Sequence, residues 1–169
     1  MGNNPSYYKG VNLPVENVSW NDAQEFIRRL NGMTNRNYRL PTETEWEYAA
    51  RGGSKSNGYK YSGSNYLDEI AWYYENSGER THPVGTKKAN ELGIHDMSGN
   101  VFEWVLDWFG DYSGNVLVNP SGPAEGSGRV FRGGGWDNGA RNARVSLRYY
   151  NAPGDHDYGL GFRLARSSK

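Results

Sequence analysis

Cysteine is absent from all 169 residues, which excludes disulfides, thiolate metal ligands and a thiol nucleophile together. Charge excess is lacking too: 19 Lys and Arg stand against 19 Asp and Glu, a net charge of zero. A nucleic-acid-binding domain carries a basic surplus, so nucleic acid is not expected as a partner. No stretch nears the roughly 20 apolar residues of a membrane-spanning helix, and the opening Met1-Gly2-Asn3-Asn4-Pro5 has no apolar signal core. Membrane insertion is therefore not expected either. A local scarcity says more. Between Asp137 and Leu160 there is no Lys, Glu, Gln, Trp or Met, where whole-chain frequencies would place roughly four such residues. The window holds Asp, Asn, Gly, Ala, Ser, His156 and the tyrosines Tyr149, Tyr150 and Tyr158 instead. That bias points to a surface for recognition more than to an active site.

What is present suits one domain. Only 36% of residues are hydrophobic, yet 14% are aromatic, with 13 Tyr and 6 Trp, so the core rests on a few large rings. With 23 Gly and 7 Pro, much of the backbone is expected in turns and loops. Ser19, with Asp22 three residues on, starts a helix whose buried face is Ala23, Phe26, Ile27 and Leu30, and Gly32 sits where a stop belongs. Pro41-Thr42 with Glu45 makes a capping box for a second helix, with Trp46, Ala49 and Ala50 inward and Gly52-Gly53 at its end. The spacing predicts helices over 20–31 and 43–51. Later apolar runs suit short strands: Ala71 to Tyr74, Val101 to Trp108, Val116 to Val118, Val130 to Phe131, Val145 to Leu147 and Phe162 to Ala165. Helices first and strands later predict an α+β fold, with Leu40, Trp46, Trp104 and Phe162 buried.

Several strings then fall in order. They are Val18-Ser19-Trp20, Tyr38-Arg39-Leu40-Pro41-Thr42-Glu43, Glu45-Trp46-Glu47-Tyr48-Ala49-Ala50-Arg51-Gly52-Gly53 and Pro83-Val84-Gly85. Asp96-Met97, Gly99-Asn100-Val101 with Glu103-Trp104, Arg132-Gly133-Gly134 and Gly161-Phe162-Arg163 follow. This pattern resembles the formylglycine-generating-enzyme (sulfatase-modifying-factor) domain family. The resemblance implies a modified C-type lectin-like fold, two helices on a small twisted antiparallel sheet, over residues 14–169 after an N-terminal extension of 1–13. The family's enzyme oxidises a cysteine with a copper ion held by two cysteines. The matching region here, Trp136 to Arg148, has none, and copper(I) needs soft thiolate ligands. No copper is expected.

The segment 132–165 also resembles the variable region of proteins diversified by retroelements. In those systems template adenines are randomised, mostly in asparagine codons. Changing the first two bases of such a codon never yields Lys, Glu, Gln, Trp or Met, the five types missing here. The expected contact residues are Asp137, Asn138, Gly139, Asn142, Leu147, Tyr149, Tyr150, Ala152, Asp155, His156, Asp157 and Tyr158. Tyrosine with Asn, Gly and Ser is also the composition of antibody contact loops. Arg132, Arg144, Arg148 and Arg163 are expected as scaffold, paired with acids or loop carbonyls.

Two carboxylates seven residues apart around a glycine can wrap a hard cation. The family resemblance implies calcium held by the Asp96 and Glu103 side chains and the Gly99 and Val101 carbonyls. The alternative is a turn capped by Asp96 and an arginine paired to Glu103. The expected function is non-enzymatic binding of a macromolecular ligand, a protein or cell-surface molecule, with a cell surface or phage particle the location the resemblance favours. The rival is an enzyme or accessory factor of the family with non-copper chemistry.

Overall fold

The computed structural model describes residues 3–112 and 118–166. Helix α1 spans Trp20–Thr34. The Ser19 hydroxyl accepts from the Asp22 amide at 3.1 Å, and the Asp22 carboxylate accepts from the Ser19 amide at 3.0 Å, a complete reciprocal cap. The helix runs past Gly32, because one interior glycine costs only about 1 kcal/mol. It ends at Asn35, whose φ of 51° is left-handed. Asn31 then ties the exit to the next strand, donating to the Tyr38 carbonyl at 2.9 Å and accepting from its amide at 2.7 Å.

Strand β1 (Tyr38–Arg39) leads through Pro41 into α2 (Glu43–Ala50), capped by Thr42 and Glu45. A 3-10 turn at Gly53–Lys55 and a one-turn helix α3 (Leu67–Ile70) follow. Next come β2 (Phe102–Trp108), β3 (Arg129–Arg132), β4 (Arg148–Asn151), β5 (Leu160–Phe162) and β6 (Ala165–Arg166). The main sheet has the order β4-β3-β2-β5, and β1 pairs with β6 apart from it.

Side chains alternate across a strand, and that alternation divides the core. Trp104 faces Phe131 across the β2–β3 ladder, in the cluster with Ala23 and Ile27 of α1, Leu40 and Leu160. Val105 and Val130 turn the other way, onto Trp46 and Ala50 of α2, Met97 and Val145. The helices thus cover opposite sides of the sheet.

Both long helices fall where expected, and Leu40, Trp46 and Trp104 are buried. Phe162 is only half-buried, packed edge-on against Phe26. The fold class holds, but β5 runs parallel to β2, so the sheet is mixed. Ala71–Tyr74 is not a strand: its groups bond to loops, Trp72 O accepting from Asn100 and Tyr74 N donating to Asn138 O. Val145–Leu147 is a turn rather than a strand, and Val145 is spent on the core. Most of Val116–Val118 lies outside the described residues.

Candidate functional site

Three consecutive glycines follow the end of β3 and set the position of everything after them. Gly133 and Gly134 have φ of 102° and 78°, a region closed to most side chains. The Gly133 carbonyl accepts from the Gly99 amide at 2.8 Å. A Cβ on Gly134 would lie 3.0 Å from the Ala143 backbone. The chain crosses under its own loop and delivers Trp136, whose carbonyl accepts from the Ser77 hydroxyl at 2.8 Å.

Arginines fix the same region from below. Arg132 is fully buried; it donates to Glu43 at 2.9 Å, to Glu47, and to the Val145 carbonyl at 2.8 Å. Arg148 grips both oxygens of Glu43 at 2.8 and 2.5 Å. Arg163 grips both oxygens of Glu103 at 2.5 and 2.6 Å. Glu43 and Glu47 of α2 thus receive Arg132, Glu43 also receives Arg148, and Glu103 of β2 receives Arg163. Arg144 departs from the expectation. It is exposed and has no side-chain partner among the described residues.

Above this frame, none of the twelve expected contact residues is buried. Asp137, Gly139, Tyr149, Tyr150, Ala152, Asp155, His156, Asp157 and Tyr158 are exposed, and Asn138, Asn142 and Leu147 are half-buried. Most of them form one continuous band. The Tyr149 hydroxyl meets the Asn142 side chain at 3.3 Å, and Gly139 to Asn142 is a single turn closed at 2.9 Å. Asp137 and Asp157 both abut Gly159. Although Asp137 as a whole is exposed, its carboxyl is tucked against Gly135 and Gly159, and this partial desolvation raises it above its ordinary value, with the Asp157 charge adding to the effect.

Tyr150 does not join the band. Adjacent strand residues point to opposite faces, so Tyr149 lies on Phe131 and Phe102 while Tyr150 stacks on Phe109 at 4.2 Å. Neighbours that the sequence pattern did not single out do join it. Tyr74 donates its amide to the Asn138 carbonyl at 3.1 Å, and the Glu75 carboxylate reaches Gly139. Tyr7 packs on Tyr158 with ring centroids 5.1 Å apart. Nothing in local composition marks these three, because tertiary folding brings them in from distant segments.

The second candidate site lines a cavity of about 530 Å³ whose walls include Asp96, Asn100, Val101, Glu103 and Arg163. Asp96 Oδ2 accepts from the Gly85 amide at 2.7 Å. Its Oδ1 is buried without a partner. Burial raises the Asp96 carboxyl above its ordinary value, with the Glu103 charge adding to it. Glu103 Oε2 already takes the Trp46 indole N–H at 2.7 Å and Arg163, whereas Oε1 takes Arg163 alone. Arg163 thus holds both oxygens of Glu103, and of these two carboxylates only Asp96 Oδ1 is left without a partner. The three histidines lie apart, His82 stacked on Trp72, His95 on the Lys87 carbonyl and His156 on Asn17.

Set beside known proteins, the chain is 38% identical over 99% of its length to Chaperone protein LppX of Paenibacillus barcinonensis, spanning 74% of that protein. It is 37% identical over 93% of its length to the formylglycine-generating enzyme of Streptomyces coelicolor, spanning 54% of that enzyme. Among solved structures, Treponema denticola variable protein 1 superposes with a TM-score of 0.92 at 36% identity. That match covers 98% of this chain and 78% of the other. The relatives thus include enzymes and a variable protein on one C-type lectin-like fold. The model of the sulfatase-modifying factor enzyme 1-like domain matches residues 1–168, and the chain belongs to that family.

Proposed function

We propose that this chain is a non-enzymatic ligand-binding protein whose C-terminal face contacts a macromolecular partner, a protein or another cell-surface molecule. We further propose that this face is diversified between copies of the protein. One observation carries the reading: within 132–165 the scaffold and the contact residues are different residues. Arg132, Gly133, Gly134 and Gly161 are buried and hold the backbone, while Asp137, Gly139, Asp155, His156, Asp157 and Tyr158 are exposed. Side chains on such a frame can change without disturbing it. Likeness to a variable protein over nearly the whole chain supports the reading. So does the lack of Lys, Glu, Gln, Trp and Met across 137–160.

Enzyme relatives favour the rival reading, catalysis by non-copper chemistry. Its best candidates, Asp155, His156 and Asp157, are all exposed on an open loop rather than convergent in a pocket. Calcium is proposed at Asp96 and Glu103, completed by the Gly99 and Val101 carbonyls, as a structural ion that would draw Glu103 partly away from Arg163.

Sequencing the last ~40 codons from several isolates, with the adjoining DNA, tests the function. Substitutions confined to the exposed positions and to residues reachable from asparagine codons, beside a reverse transcriptase gene and a template repeat, are expected. An invariant His156-Asp157 pair with no such cassette nearby overturns the reading and revives the enzyme.

A further inference from the structure

The N-terminal segment is fastened to the candidate face by its own set of bonds. Glu16 is fully buried, and its Oε1 accepts from the Tyr8 amide at 2.8 Å. Its own amide donates to the Ser6 hydroxyl at 3.1 Å, and its backbone bridges Gly161. Asn17 donates to the Pro5 carbonyl at 3.2 Å through its side chain and to the Asp157 carbonyl at 3.0 Å through its amide. The Asn17 side-chain oxygen in turn meets His156 Nδ1 at 2.9 Å. Tyr8 turns inward, edge-on to Trp136 at 5.6 Å, with its hydroxyl donating to the Glu79 carbonyl at 2.7 Å.

With Tyr8 pinned inward, adjacent Tyr7 is left outside. It packs on Tyr8 at 4.9 Å and on Tyr158 at 5.1 Å, yet remains 65% exposed. A ring in contact with two others has fewer rotamers open to it than a free side chain before any partner arrives. That is the property that makes tyrosine an effective contact residue, since little entropy remains to be lost on binding. Tyr7 also lies outside the segment whose composition is biased, so changes there leave the residue and its packing on Tyr8 in place, while a change at Tyr158 removes only its second neighbour.

We infer that Tyr7 is a fixed contact residue of the recognition face, an aromatic anchor common to every version of the variable surface. Ser6, Tyr8 and Glu16 are the residues that position it. The partner it fits is a protein surface, which offers the ring an apolar or cationic side chain beside the variable contacts. The inference rests on the ligand-binding reading of the C-terminal face.

The test uses the full chain with Asp137, Asn138, Gly139, Asn142, Asp155 and Asp157 randomised, and binders selected against lysozyme as a defined protein probe. In the selected binders Tyr7→Ala is expected to raise Kd roughly tenfold or more, and Tyr7→Phe to restore most of the loss. Tyr48→Ala, an equally exposed tyrosine on α2, is expected to leave Kd unchanged. As an independent readout, iodination of Tyr7 mapped by mass spectrometry should be suppressed in the complex while iodination of Tyr48 is not. Unchanged Kd with Tyr7→Ala, or Tyr7 equally iodinated free and bound, overturns the anchor and leaves the binding reading standing. Failure to select any binder overturns both.

Discussion

Glu43 shows how one residue serves both helix and site. It occupies the first position of α2, is nearly buried, and accepts from Arg132 and Arg148 while its amide donates to Asp107 at 2.7 Å. Removing one partner of a buried ion pair leaves the other charge without compensation. Glu43→Ala is expected to lower unfolding free energy by about 3–5 kcal/mol in urea titrations. Asp96 behaves in the opposite sense. Its folded pKa is raised by burial, so the folded state keeps a proton that the unfolded chain has already released. The stability this gives is present below the unfolded pKa and is lost as pH rises through the folded pKa. At neutral pH, without calcium, Asp96→Asn is therefore expected to stabilise the protein and to flatten the pH dependence of Tm on the acid side. A variant less stable than the parent at pH 7 contradicts this.

At the scale of elements, β4 turns the expected contact list into two surfaces. Tyr149 shares the band with Asn142, whereas Tyr150 covers Phe109 on the other side of the sheet. In any complex formed by the band, Tyr149→Ala should weaken binding and Tyr150→Ala should not. Each should also cost about 1 kcal/mol of stability, because each ring stacks on another aromatic. Thermal unfolding beside a binding titration separates the two effects. The glycine crossing after β3 is the other element with a sharp expectation. Gly134→Ala places a Cβ against the Ala143 backbone at a positive φ. It is expected to cost more than the ~1 kcal/mol of an ordinary strained glycine site and to shift the whole band. If Gly134→Ala unfolds like the parent, the crossing is not what holds the face.

Over the whole molecule, the net charge of zero conceals a local acidic excess around the cavity lined by Asp96, Glu103 and Arg163, where two carboxylates face one guanidinium. A cation that binds only the folded state stabilises it by mass action. Calcium at ten times its Kd should raise stability by about 1.4 kcal/mol, seen as a higher Tm in differential scanning calorimetry. Asp96→Asn should abolish that response while leaving the fold intact. No calcium-dependent change in the parent returns the segment to a capped turn with an arginine-paired glutamate. The metal proposal and the recognition proposal are separable, since the first is read by stability and the second by binding.

By itself the sequence determined the features written in local chemistry. Ser19 with Asp22 and Thr42 with Glu45 state where the helices begin, because a helix end leaves amides that only such side chains can satisfy. Helices first and strands later gave the α+β class, the ordered Arg-Gly-Gly and Gly-Phe-Arg strings carried the family resemblance, and the composition of 137–160 marked a surface whose twelve expected contact residues all stay out of the core. Only the tertiary structure decided which of them act together. The parallel β2–β5 pair, the separation of Tyr150 from Tyr149, and the arrival of Tyr7, Tyr74 and Glu75 at the face all depend on contacts between residues far apart in the chain. Local composition carries no record of such contacts. They are set by how the ladder registers and by what the buried carboxylates of Glu16 and Glu43 hold in place.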